Sequence, residues 1–209
     1  MDRVAIDIET IPLTKDPDFE SPEDWSVFAI ALGHQRSGES DVTIDVLFRD
    51  NPNYAAEREL IDRMIDWIAE RTCIEARTVL TYNGDSYDLP ILKHRAYELD
   101  EAIAESNLAE RLYLLFKTSL HTDLIKEMKE RKGYYVSLND ALYEFSINTD
   151  EPTWMGKPVE GSDMPSMGLE LIAGRQNDEL RETVRRYAAS DVEPLFDLHT
   201  ELKGDPVMQ

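Results

Sequence analysis

A single cysteine, Cys73, stands in 209 residues, which excludes an intramolecular disulfide and any zinc site built on thiolates. The four histidines are scattered and suggest no zinc site either. No apolar run approaches the roughly 20 residues that span a bilayer, and no charged-then-apolar leader opens the sequence. A soluble, cytoplasmic protein without membrane contact is the expectation. Repeats, low-complexity tracts and an obvious linker are lacking too, so residues 1–209 are expected to form one domain. Hydrophobic residues make up 42% of the total, enough to build a core.

Cations are scarce. Lysine and arginine total 22 against 43 acids, a formal net charge of −21, and only 8 of the 22 are lysine. Such a charge ordinarily argues against a polyanionic partner, because repulsion precedes contact. The acids, however, are spread along the sequence rather than gathered in a tail. An acidic, lysine-poor coat is expected of a protein working in molar salt, where the Debye length is about 3 Å and repulsion is screened. A surface adapted to basic partners is the other reading. Neither excludes nucleic acid.

Periodicity gives an α/β order. Val4–Ile11 alternates as a strand, with Val4, Ile6 and Ile8 on one face and Ala5, Asp7 and Glu9 on the other. Phe28–Gly33 and Val42–Phe48 follow as strands of an antiparallel meander. Tyr54–Arg71 has helical spacing, Thr78–Tyr82 is a short buried strand, and Leu89–Leu99 is a helix with Pro90 in its first turn. Asn107–Phe116 and Asp123–Arg131 read as helices, and Ser137 caps a short one over Ala141–Phe145. Ser146–Gly168, with three prolines and three glycines, reads as a long functional loop. A last helix runs from Asp178 to Leu202, kinked by Pro194.

Three acidic patterns carry the chemistry. Asp7-Ile8-Glu9 puts two carboxylates on one face of a strand, about 7 Å apart along its length. Like charges on a core face are costly unless a cation satisfies them. Among so many acids the pattern D-x-E is expected about twice by chance, and it occurs three times, Asp18-Phe19-Glu20 and Asp191-Val192-Glu193 being the others. The position in a core strand sets the first copy apart. Asn83-Gly84-Asp85-Ser86-Tyr87-Asp88 joins a strand to a helix, and N-x-x-x-Y-D has a chance expectation of only about 0.03 copies. Asp88 there could cap the helix, bind metal, or do both. Tyr187 and Asp191, four apart in the last helix, share one face.

In that order and on those elements, the three patterns resemble the DEDD 3′–5′ exonucleases of the tyrosine subclass. The likeness is to the proofreading domains of family B DNA polymerases and their stand-alone relatives, and it spans Asp7 to Asp191. Asp123 and Met155-Gly156-Lys157 also look like the stand-alone members. The resemblance implies a ribonuclease-H-like fold: a five-stranded mixed sheet, its first three strands antiparallel, flanked by helices. It implies two divalent ions, Mg²⁺ or Mn²⁺, bound by Asp7, Glu9, Asp88 and Asp191. One ion would sit on Asp7, Glu9 and Asp191, the other on Asp7 with Asp88 reaching it through water. Tyr187 matches the tyrosine that holds the attacking water; the histidine subclass would carry histidine where Arg186 stands. The implied activity is hydrolysis at single-stranded 3′ ends, DNA favoured over RNA, releasing nucleoside 5′-monophosphates. A replication or repair protein is the expected partner. An inactive nucleic-acid-binding or polymerase-accessory module of the same fold is the alternative.

The chemistry matches the residue types. Attack on an anionic phosphodiester needs charge neutralised and water acidified, which paired divalent ions supply, and hard cations take oxygen ligands. A tyrosine with an ordinary pKa near about 10 is a poor base, so Tyr187 is expected to orient water. Thr10 and Ile11 match positions near the terminal nucleotide, or simply end a strand. Asn83 and Tyr87 could meet sugar or phosphate, and Lys157, beside Trp154, could cover the strand terminus. Lys126, Lys129, Arg131 and Lys132, followed by Tyr134 and Tyr135, form either a phosphate-and-base contact or a solvated helix face.

Overall fold

The structure, a computed structural model, describes residues 1–73, 77–174 and 177–204. Strand β1 (Asp2–Pro12) runs through the middle of a five-stranded sheet. On one side β2 (Trp25–Gln35) and β3 (Val42–Phe48) continue it antiparallel; on the other, β4 (Arg77–Thr81) and β5 (Leu120–Asp123) lie parallel. The order β3-β2-β1-β4-β5 is the mixed sheet that the resemblance implies.

The alternation of β1 separates two cores. Val4, Ile6 and Ile8 pack under α1 (Tyr54–Arg71), α2 (Asp88–Ala102) and α3 (Leu108–Lys117). Ala5 and Ile11 face α4 (Leu124–Lys132), α5 (Leu138–Glu144), α6 (Met164–Ile172), α7 (Asp178–Val192) and α8 (Leu195–Gly204). The pairing of β1 with β2 slips after Glu9, where Glu9 faces Ala29 but Thr10 faces Val27. Phe28 is therefore an extra residue on β2, a bulge that re-aims the backbone next to the acids.

Helix α1 has the bounds its periodicity predicts, and Ser137 caps α5 by accepting the Asp140 N–H at 3.2 Å. Three elements differ from expectation. β5 is a four-residue edge strand with little apolar signal, in residues read as the approach to a helix. The long loop holds a small hairpin, β6 (Thr153–Trp154) and β7 (Lys157–Pro158), and then α6. Met155 and Gly156 both have positive φ, 50° and 78°, as a two-residue hairpin turn demands. Pro165 hid α6 but sits in its first turn, where a missing N–H is harmless. Gly168 lets α6 approach the sheet: a Cβ there would lie 2.6 Å from the Phe28 ring and 2.7 Å from Ile11. The last helix is broken rather than kinked, α7 ending at Val192 and α8 starting at Leu195 around Pro194.

A buried ion cluster ties α2, which carries Asp88, to the sheet. Glu57 is fully buried and accepts from Arg95 Nε and Nη2 at 2.8 Å each, from Arg49 at 3.2 Å and from the Val27 N–H at 3.0 Å. Arg95 and Arg49 are themselves 1% and 5% exposed. Glu57→Gln leaves the buried Arg49 without its counter-charge and Arg95 with only the partly exposed Glu98, so a urea unfolding curve should show a loss of about 3–5 kcal/mol. A change below about 1 kcal/mol would show that the cluster does not hold these elements together. Among the described residues no helix is long and apolar enough to cross a membrane.

Candidate metal centre

Between the buried Ala5 and Ile11, the same face of β1 carries Asp7 and Glu9 into a cavity of about 790 Å³. Asp88 enters it from the start of α2 and Asp191 from the end of α7. Carboxylate oxygens of Asp7, Glu9 and Asp191 all lie within 4.8 Å of one another. Glu9 is only 7% exposed, and its Oε1 is buried without a hydrogen-bond partner among the described residues. An unpaired buried carboxylate oxygen beside two further acids is costly unless a cation supplies the missing contact. The donor set is all oxygen and all anionic, which suits Mg²⁺ or Mn²⁺.

Electrostatics agree with that cost. Burial, then the charges of Asp88, Glu9 and Asp191, pushes the Asp7 carboxyl well above its ordinary range. Burial, then Asp191 and Asp88, does the same to Glu9. Asp88 is raised by burial to about 7 despite the Ile8 N–H donating to it, with Asp123 adding repulsion. Asp191 is raised by burial to about 6, offset in part by the Tyr187 hydroxyl. Each of these groups binds its proton more tightly folded than unfolded. For Asp88 and Asp191 the stability contributed is full below the unfolded carboxylate pKa near 3.8 and is lost as pH rises through about 6 to about 7, and Asp7 and Glu9 shift in the same direction. In EDTA, the melting temperature should fall between about pH 4.5 and pH 7.5, and Mn²⁺ should restore it at the upper end by binding the ionised cluster. A melting temperature insensitive to Mn²⁺ at pH 7.5 would contradict a cation site here.

Asp88 stands beside the three-acid group rather than within it, and it is 4% exposed. It is the first residue of α2, with Tyr87 in the cap position, so its expected capping role is corrected. The turn before it is held by Asp123, whose carboxylate accepts the Asn83 N–H at 2.7 Å and the Asp85 N–H at 3.0 Å. Asn83 adopts φ 67°, and a Cβ on Gly84 would meet Thr81 at 2.5 Å, so this turn needs its small residue. Asp123 thus positions Asp88 through the backbone, a role that its lone position in the sequence did not reveal.

Tyr87 and Thr10 join hydroxyls at 2.7 Å across the cavity wall. Burial pushes the Tyr87 phenol up to about 12. Trp25 packs edge-on to Tyr87 at 6.1 Å, and Phe19 stacks on Trp25 at 4.9 Å while remaining 68% exposed. This aromatic wall went unread in the sequence because Phe19 lies inside a chance D-x-E. The Trp25 indole pins the loop by donating to the Asp18 carbonyl at 2.9 Å.

Tyr187 lines the cavity opposite, its phenol pushed up by burial and then by Asp191, Glu9 and Asp7. Gly161 brings the loop backbone over it, where an added Cβ would sit 3.3 Å from the hydroxyl. Asn83 lines the cavity, whereas Ile11 and Lys157, also named as substrate contacts, stand outside it. Ile11 is 4% exposed and packed in the core, because it follows Glu9 on the inward face. Lys157 lies on β7 in a separate cleft with Trp154 and Asp163, since the hairpin turns it away from the acids. Arg185 pairs with Glu182, whereas Arg181 and Arg186 reach Asp50 and Asp150.

Residues 4–203 match the RNase H superfamily. The chain belongs to that superfamily. The five-stranded sheet, with Asp7 and Glu9 on its central strand, is the frame that gathers them with Asp191. This RNase H-like chain is also similar to a DNA polymerase of Pyrococcus horikoshii, 25% identical over 156 residues, covering 70% of this chain and 11% of that protein. DNA polymerase 1 of Sulfurisphaera ohwakuensis is 32% identical over 112 residues, 47% of this chain and 12% of its own length. The chain therefore spans under a fifth of these relatives. Exonuclease I of Escherichia coli, solved with an oligonucleotide, overlays 97% of this chain and 40% of its own at 14% identity and a TM-score of 0.49.

Proposed function

We propose that the protein is a metal-dependent 3′–5′ exonuclease acting on single-stranded nucleic acid, DNA in preference to RNA, and releasing nucleoside 5′-monophosphates. The observation that carries this reading is the convergence of three carboxylates around a buried, unpartnered Glu9 oxygen. Asp7, Glu9 and Asp191 would hold one divalent cation, and Asp7, with Asp88 reaching through water, a second, Mg²⁺ or Mn²⁺. Bound there, the cations would acidify water and neutralise charge on the phosphodiester.

The protein's own groups supply the positioning. The Tyr187 phenol, held protonated by burial and the nearby acids, donates toward Asp191 and leaves its lone pairs free to receive a hydrogen bond from the attacking water. It orients rather than deprotonates. Thr10, Tyr87 and Asn83 border the place for a terminal sugar, and the Phe19–Trp25 stack offers a face to its base. A pure binding module would gain nothing from burying carboxylates that repel one another, so the inactive alternative has no support in this geometry. The acidic coat belongs to the same reading, as an adaptation to molar salt.

End-labelled DNA and RNA oligomers, with Mg²⁺ or Mn²⁺, test the proposal from about 0.1 to about 3 M KCl, as the Debye length falls from about 10 Å to below about 3 Å. DNA shortened from its 3′ end, at a rate that persists in molar salt, is expected. No metal-dependent shortening would refute the activity, and a rate falling steadily with salt would refute the salt adaptation alone.

A further inference from the structure

Three clefts meet at Tyr187 and Asp191, and they differ in charge. The largest, of about 790 Å³, holds the aromatic wall. A second, of about 620 Å³, runs past Asp150, Glu151 and Glu160 to Tyr143. The third, of about 280 Å³, leads from Asp7 and Asn83 to Ser137, Asn139 and Tyr135. A nucleic-acid strand longer than one residue must leave the centre by one of them.

One cation borders the third. On helix α4, Lys126 and Lys132 are held by Asp85 and Glu144, and Lys129 is the lysine that stands against a residue of the cleft. The Lys129 ammonium lies 5.3 Å from the centre of the Tyr135 ring. Tyr135 and its neighbour Tyr134 are 61% and 64% exposed. The segment that presents them is fixed to the end of β4, because the Tyr82 hydroxyl donates to the Val136 carbonyl at 2.7 Å. An exposed aromatic face beside a cation is what a single strand uses, one for its bases and the other for its phosphates. On a protein of net charge −21 the placement matters, since the second cleft would set a polyanion against Glu151 and Glu160 as well as Asp150, the last already paired with Arg186.

We propose that the body of the single strand runs through this third cleft, with Tyr135 stacking on a base and Lys129 meeting a phosphate. The inference rests on the exonuclease reading, which it deepens. It explains a preference for single strands: bases inside a duplex have no free face for Tyr135.

The test is fluorescence anisotropy of labelled DNA trimers and decamers with the full-length protein, Ca²⁺ replacing Mn²⁺ to prevent turnover. Tyr135→Ala should weaken the decamer by about tenfold or more, the range of one lost stacking contact, and the trimer much less. Lys129→Gln should lower the slope of log affinity against log salt by about 0.7, one phosphate contact on a single strand. Tyr143→Ala, in the acidic cleft, should change decamer affinity by less than about twofold. The strand path is overturned if Tyr135→Ala binds both lengths like wild type, or if Tyr143→Ala costs the decamer as much as Tyr135→Ala. Hydrolysis of the decamer by wild type with Mn²⁺, followed in parallel, keeps the two readings apart. Its absence refutes the exonuclease, whereas hydrolysis with unaltered Tyr135→Ala binding refutes the path alone.

Discussion

Asp7→Ala should lower the rate of metal-dependent nucleotide release at least about a thousandfold, while leaving the metal-free fold intact or slightly more stable. The Asp7 carboxyl is pushed up by burial and then by Asp88, Glu9 and Asp191. In the proposed function it is the acid shared by both cations. Removing it deletes a ligand from each, yet it also relieves repulsion among buried acids when no metal is bound. Both effects are measurable on one preparation, by single-turnover hydrolysis and by melting in EDTA. An active Asp7→Ala protein, shown free of contaminating nuclease, would sink the shared-ligand account.

Tyr187→Phe should lower kcat by about 10- to 300-fold with a smaller change in KM. The phenyl ring keeps its packing on the second core, so what is lost is the hydroxyl, which lies beside Asp191 and under the Gly161 backbone. Orientation of a water is felt in the transition state more than in substrate binding, hence the split toward kcat. If KM rises while kcat holds, Tyr187 is a binding residue and its role is misassigned. Since the phenol stays protonated far above neutral pH, its replacement should leave the neutral limb of the pH–rate profile in place.

The sequence made the sheet legible wherever burial imposes a period. β1 alternates because one face meets α1–α3 and the other α4–α8, and α1 shows its stripe because it covers that first core. Elements with little core contact left little pattern. β5 is four residues long at an edge, and α6 opens on Pro165 and carries Gly168 at its point of closest approach, both of which read as loop. Among the expected site residues, the strand period pairs Asp7 with Glu9 and the helix period pairs Tyr187 with Asp191, while the family resemblance is what joined the two pairs. Ile11 and Lys157 could not be judged that way: one depends on the core behind β1, the other on a two-residue turn. The aromatic wall and the Asp123 clamp were hidden for a similar reason, being contacts between residues far apart in sequence that no local period announces.

Cleavage of nucleic acid from a 3′ end by this acid cluster is decided by comparing linear and circular substrates. Linear single-stranded DNA labelled at its 5′ end and a circular single strand are incubated with the protein and Mn²⁺, with EDTA as the reference. The account predicts a ladder of 5′-labelled fragments shortened one nucleotide at a time, 5′-monophosphates as the released product, and an intact circle. Cleavage of the circle, release of the 5′ label as a mononucleotide at the outset, or hydrolysis that continues in EDTA would contradict it.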